Sequence, residues 1–274
     1  MSTLYVVGTP LGNLGDLSPR ALETLQTADF IAAEDTRVTL RLLNRFGIKK
    51  PLCSYHEHNR RESGTAILER LQSGESCALV TDAGMPAISD PGEDLVRLCR
   101  ERGIAVVAVP GASALTTALA VSGMPSGRFT FEGFLSTNTK NRRKHLAELI
   151  TEKRTVIFYE APHKLPHTLR DLSEALGDRK IALARELTKL YEEVTVTTLS
   201  QAAEKYSNET PRGEFVIIIE GANEPKEEPV SLPQAAELAR EYVKSGLSKT
   251  QAAKKAAFES GIKKSEIYKL IADI

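Results

Sequence analysis

The stretch that most constrains this chain runs from Cys77 to Gly92 (CALVTDAGMPAISDPG). It opens as a short apolar run of the length expected for a fully buried strand. Eleven residues of Asp, Gly, Pro, Ser and small apolar type follow, from Asp82 to Gly92, before a helical pattern begins at Glu93. A strand, a loop and a helix make one βα unit whose loop lies at the carboxyl edge of a sheet, where ligands bind in open α/β folds. Gly84 and Gly92 allow a ligand close to the backbone, and Pro86 and Pro91 stiffen the loop. The alternative is an ordinary surface connection, but βα loops usually run about two to six residues. The length favours a ligand loop.

At 274 residues the chain is long enough for one large or two medium domains. Lys plus Arg and Asp plus Glu both number 36, so overall charge points to no partner and any nucleic-acid surface must be local. The three cysteines, Cys53, Cys77 and Cys99, lack CxxC spacing and read as reduced thiols of a cytoplasmic protein. The N-terminus has no charged region before a short apolar run, which predicts no signal peptide. No stretch approaches the apolar length of a membrane helix.

Apolar runs at 4–7, 30–33, 51–55, 77–81 and 104–109 alternate with helical patterns. That alternation predicts an α/β domain over 1–125 with a parallel sheet covered on both faces. A second α/β domain over 126–224 has strand candidates at 129–134, 155–159, 180–185, 194–199 and 215–219. Within it Leu165, Leu169, Leu172 and Leu176 form a helical stripe, and the Val-Thr alternation from Val194 predicts a hairpin and hence a mixed sheet. A charged, Pro-punctuated linker from Asn223 to Pro229 leads to three short helix patterns, giving a third domain over 225–274. Residues 230–274 hold eight basic and five acidic residues, and Gly261 divides a helix-turn-helix pattern.

The loops after the strands carry the chemistry. Gly8, Gly12 and Gly15 follow the first strand with neither dinucleotide nor P-loop spacing. Glu34-Asp35-Thr36-Arg37 follows the second, where Asp35 either caps a helix and pairs with Arg37 or meets substrate. His56 and His58 follow the third. No third ligand lies near them in sequence, so a polar rim is favoured over a metal site. Ser113 opens the helix after the fifth strand, where free amides suit an anionic ligand. In the second domain Glu160 and Lys164, then Arg185, Glu186 and Lys189, close two strands, so both domains offer loops to one cleft. The polar, strongly basic stretch from Leu135 to His145, including Arg142 and Arg143, reads as a polyanion contact or as a solvated helix start.

Taken together and in order, GTPLGNLGDLSPRAL, AEDTR, TDAGMPAISDPG, VPGASA, FYEAPHK, ARELTK and GEFVIIIEG resemble the tetrapyrrole-methylase-like, class III AdoMet-dependent methyltransferases. Within that family they resemble the bacterial ribosomal RNA small subunit methyltransferase I group. The resemblance spans nearly the whole chain to Gly221 and continues in the helix-turn-helix tail. It implies S-adenosylmethionine in a cleft between two α/β domains, usually in a homodimer. It also implies 2′-O-methylation of a cytidine ribose in the decoding region of small-subunit (16S) ribosomal RNA, within the assembled 30S subunit. Cofactor contacts then fall on Leu11, Ala83, Gly84, Met85, Ile88, Ser113, Ala114, Glu160, Leu187 and Phe215. The wider family's tetrapyrrole C-methylases carry Gly-Asp-Pro in the central loop, where this chain has Gly84-Met85-Pro86, which speaks against a tetrapyrrole substrate.

A ribose hydroxyl is a poor nucleophile until deprotonated. Asp35, Glu160 and Glu186, with Glu34, are the candidate bases. Arg37, His56, Arg142, Arg143, Lys164, Arg185 and Lys189 are the candidate contacts to substrate, and no metal is expected. Two other readings stay open at this point: a small-molecule methyltransferase of the same fold, and a non-enzymatic regulator that binds nucleic acid.

Overall fold

In the computed structural model, residues 2–222 and 230–272 are described, and the chain divides into two compact units, Met1–Ala222 and Asn223–Ile274. The linker expected at 223–229 lies outside the described residues.

The first half of the larger unit alternates strand and helix as expected. Strands β1 (Thr3–Val7), β2 (Phe30–Ala33), β3 (Leu52–Ser54), β4 (Cys77–Val80) and β5 (Ala105–Val109) form one parallel sheet. Their order is β3-β2-β4-β1-β5. Helices α1 (Pro19–Thr27), α2 (Thr36–Arg45), α3 (Arg60–Gln72), α4 (Glu93–Glu101) and α5 (Ala114–Ser122) connect and follow them. β2 and β4 are buried on both faces, as central parallel strands are. Because β4 and β5 flank β1, the loops after all three emerge side by side at one carboxyl edge.

The second half contains β6 (Phe129–Gly133), α6 (Thr139–Glu148), β7 (Thr155–Glu160), α7 (Leu165–Leu176), β8 (Lys180–Arg185), β9 (Glu193–Thr198), α8 (Leu199–Asn208) and β10 (Phe215–Ile219). Its sheet, ordered β6-β7-β10-β8-β9, is mixed. Only β6 and β7 run parallel, and β8 and β9 form the hairpin that the Val-Thr alternation predicts. The basic stretch from Leu135 divides in two. Its second part is the start of α6, because the Asn138 side chain accepts hydrogen bonds from the Lys140 and Asn141 amides (both 3.1 Å).

The leucine stripe of α7 packs onto Val156, Phe158, Ile217 and Ile219 in one core. Leu172 is fully buried there. Leu172→Ala is expected to lower the unfolding free energy by about 2–5 kcal/mol, through lost transfer energy and the cavity left behind. Denaturant titration of the variant measures this directly.

Helix α5 follows a strand of the first sheet yet packs on the second. Ala118 and Leu119 sit in a core with Ile157, Ala182, Ala184, Val216 and Ile218. The Leu115 amide donates to the Tyr159 hydroxyl (2.8 Å). Small residues let this helix lie close to the sheet.

The smaller unit consists of α9 (Leu232–Lys244), α10 (Lys249–Ser260) and α11 (Lys264–Ile271) around a core of five alanines, Ile267 and Ile271. Capping boxes at Ser231/Gln234 and Ser248/Gln251 start α9 and α10, and Gly261 takes the left-handed conformation that ends α10. Phe258 stands 91% exposed on α10.

Candidate active site

Three loops at the carboxyl edge of the first sheet are locked together by backbone. Thr9 N donates to Gly84 O (2.9 Å) and Gly84 N to Thr9 O (3.1 Å), which ties the first loop to the central one. Gly8 N donates to Val109 O (3.1 Å). Gly8 and Gly111 press together so closely that a Cβ on either would lie 2.6–2.7 Å from the backbone of the other. Glycine is required here for close approach, a role the loop spacing alone does not reveal.

Facing these loops are the ends of β7, β8 and β10. Between the two walls lies a cleft of about 350 Å³, within the range of small-molecule sites, roughly 300–1,000 Å³. Leu11, Ala83 and Ala114 line it from the first half, and Tyr159, Glu160, Leu187 and Phe215 from the second. Six of the residues expected to hold the cofactor therefore meet in one cavity. Gly84 and Met85 follow Ala83 but do not themselves line the cleft; Gly84 makes the bridge to Thr9, and the Met85 sulfur packs against Gly8. Ser113, next to Ala114 but not itself in the cleft lining, is the N-cap of α5, and its side chain makes no capping bond. Ile88 does not line this cleft. It borders an adjoining polar hollow of about 240 Å³, with Tyr55, Arg60 and Ser89.

Asp90 lines both the cleft and that hollow, and sequence reasoning passed over it. Burial pushes its carboxyl up to about 6, and the nearby charges of Glu34 and Asp82 add to the rise. Those neighbours are fixed by the sheet. The Thr81 hydroxyl donates to Glu34, the Asp82 amide approaches the same oxygen (3.3 Å), and the Asp35 amide donates to Asp82 (3.1 Å). A carboxylate poised near neutral pH in a cleft is the signature of a proton-transfer group.

The three acids expected as bases are all committed elsewhere. Asp35 caps α2 and is clasped by both ends of the Arg37 guanidinium (2.6–3.2 Å), which holds it far below the usual carboxylate range. That is the capping alternative, and it makes Asp35 too weak a base. Glu160 is 3% exposed and accepts from the Ala161 amide (2.9 Å) and the Thr168 hydroxyl (2.6 Å), so each oxygen is engaged. Glu186 takes a left-handed backbone conformation and accepts from Lys189 Nζ (2.9 Å) and the Glu214 amide (3.0 Å). Burial raises its pKa, but Lys189, that amide and the charge of Arg185 outweigh it and hold it below the ordinary value.

Among the expected substrate contacts, Lys189 lines the cleft and also bonds Glu214 (3.1 Å). Arg37 is held by Asp35, and Arg185 pairs with Glu193 (3.3 Å). His56 is half-buried at the end of β3, with no partner for Nδ1 among the described residues. Arg142, Arg143 and Lys164 are outside the cleft and line a separate groove. Among the described residues no group of three or more His, Cys, Asp or Glu is placed to hold a metal ion.

The donor set suits S-adenosylmethionine. Leu11, Leu187 and Phe215 offer apolar walls to an adenosine, and the α5 terminus at Ala114 suits a carboxylate. Residues 3–203 match the family of Tetrapyrrole (Corrin/Porphyrin) Methylases. The chain is 47% identical over 271 residues to the Ribosomal RNA small subunit methyltransferase I of Synechocystis sp., covering 98% of this chain and 97% of that one. It is 45% identical over 272 residues to the protein of the same name from Bacillus subtilis, covering 98% and 93%. A uroporphyrin-III C-methyl transferase from Thermus thermophilus, solved with S-adenosyl homocysteine, shares the fold. Its TM-score is 0.56 at 19% identity, over 79% of this chain and 96% of that one. On these matches the chain belongs to the tetrapyrrole methylase family and is an S-adenosylmethionine-dependent methyltransferase.

Proposed function

We propose that this chain methylates the 2′-oxygen of a cytidine ribose in the decoding region of small-subunit ribosomal RNA, within the assembled 30S particle in the cytoplasm. One observation carries the RNA reading: relatives named for that substrate align along almost the whole chain, the three-helix unit included. Lysines are spread along all three of those helices, as a unit that contacts phosphates would have them.

The bound cofactor supplies a methyl group made electrophilic by its sulfonium. The chain's own residues do the rest. Asp90, on the wall shared by the cleft and the polar hollow, accepts the ribose proton, and the hollow beside Arg60 and Ser89 orients the sugar. Lys189, held between Glu186 and Glu214, places one positive charge at the cleft where oxygen develops negative charge. Leu187, Phe215 and Tyr159 keep water from the reacting atoms.

We also propose a homodimer. Parallel strands are normally covered on both faces, yet the edge strand β5 leaves Val107 41% exposed, and Val121 of α5 is exposed as well. We assign that face to a second copy of the chain.

The test is transfer of labelled methyl from S-adenosylmethionine to small ribosomal subunits, followed by nuclease mapping. Label on one cytidine ribose is the expected result. Cofactor binding without label on subunits or naked RNA would overturn the substrate, and label on a tetrapyrrole instead would move the chain to small-molecule chemistry.

A further inference from the structure

A second hollow, about 720 Å³, opens between α6 and α7 on the far side of the wall that carries Glu160. Arg143 stands on its α6 side, and His163, Lys164 and His167 on the other, with the hydroxyls of Ser136 and Thr139 at one end. Among the described residues neither Arg143 nor Lys164 has an ion-pair partner. Helix α6 begins with Lys140, Arg142, Arg143 and Lys144 and has no acid in its first turn, an order that opposes the helix dipole. Its cations are not arranged for the helix's own stability. With Asp171 paired, Glu174 is the acid left in the lining. Cations on both sides of an open trough suit a linear polyanion threaded between them better than a compact anion held at one point.

The back of this groove is built differently. Arg142 is only 12% exposed at its side chain; it donates to Asp171 and, through Nη2, to the Thr168 hydroxyl (2.9 Å). Thr168, fully buried, donates its own hydrogen bond to Glu160 Oε2 (2.6 Å), and Glu160 lines the cofactor cleft. On the groove side His167 Nδ1 meets Asp171 (3.1 Å). An unbroken run of polar contacts thus crosses the wall, from an exposed histidine to a buried carboxylate. A hydroxyl with one donor and one acceptor partner on opposite sides has a single satisfactory orientation, so displacement of Arg142 is felt at Glu160.

We propose that the α6–α7 groove seats a phosphodiester stretch of the RNA acceptor, and that the Arg142–Thr168–Glu160 link transmits its occupancy to the cofactor cleft. The inference rests on the RNA reading above. Arg143 and Lys164 contact the backbone; Thr168 is a positioning residue.

The experiment uses the full chain with 30S subunits, after melting curves show the variants folded. Arg143→Gln with Lys164→Gln is expected to reduce the slope of log affinity against log salt by about 1.5–2, near one unit per lost phosphate contact. S-adenosylmethionine affinity without RNA should be unchanged. In the unsubstituted protein, bound RNA should tighten cofactor binding by about fivefold or more, a modest coupling between two sites. Thr168→Val should abolish that tightening while RNA affinity measured without the cofactor holds, and Thr168→Ser should restore it. A wild-type salt slope in the double variant, with methyl transfer to RNA intact in the unsubstituted protein, overturns the groove and spares the methyltransferase reading. Tightening that survives in Thr168→Val, or is absent from the unsubstituted protein, overturns the link. If inorganic polyphosphate fills the groove and 30S subunits do not compete, the RNA assignment falls.

Discussion

Asp90→Asn is expected to lower the rate of methyl transfer by about 10²- to 10⁴-fold, the usual contribution of a positioned general base, while S-adenosylmethionine still binds. Asparagine keeps the size but cannot take a proton. The pH dependence follows from the raised pKa of about 6. The base must be ionised to act, so the rate should climb with pH, bend near 6 and level off above it. In Asp90→Asn that bend should disappear. Stability should move the other way. A carboxyl whose folded pKa is raised favours folding when protonated, and that contribution is lost as pH rises from its unfolded value of about 4 through 6. At pH 8 the variant should therefore melt higher than the unsubstituted protein, the trade expected where an active site carries strain. An unchanged rate with an unchanged pH profile would remove Asp90 from the mechanism.

Gly111→Ala is expected to be strongly damaging although it adds only a methyl group. Its Cβ would come within 2.7 Å of Gly8 Cα, C and O, all backbone atoms that no rotamer change can move. Overpacking of this kind costs typically 1–3 kcal/mol and sometimes more. At the upper end, about 3 kcal/mol, the melting temperature of a unit this size falls by about 6–12 °C. Because the same contact holds together the loops that bring Leu11 and Ala114 to the cleft, cofactor affinity should fall with it. Gly127→Ala is the control, since no atom lies within 4 Å of its Cβ position and its backbone is unstrained. Calorimetry and cofactor titration of the pair separate the two effects.

Much of the fold was legible because short apolar runs, ended by Gly- and Pro-rich loops, leave few choices. The strands of both sheets fall where short apolar runs occur, and Val194 to Thr198 announced its hairpin by alternation with no long helix before it. The cleft was partly legible for the same reason: loops that follow parallel strands converge at one edge, so Leu11, Ala83 and Ala114 had to be neighbours. What was not legible depends on partners far away in sequence. The raised pKa of Asp90 arises from burial and from Glu34, which the pairing of β2 with β4 brings alongside. Glu160 looked free until α7 delivered Thr168 to it, and Arg142 looked exposed until Asp171 covered it. The clasp of Asp35 by Arg37 is local, and was one of two readings that spacing could not separate. Charge and burial of a side chain are tertiary properties.

The crossing of α5 has a consequence for how this molecule comes apart. Since Ala118 and Leu119 belong to the core of the opposite sheet, separating the halves would expose that apolar seam and break the Leu115–Tyr159 bond at once. Neither half can melt while the other survives intact, so residues 2–222 should give a single endotherm with equal calorimetric and van't Hoff enthalpies. A protease cutting near Gly127 should leave two fragments that stay together until the whole unit unfolds.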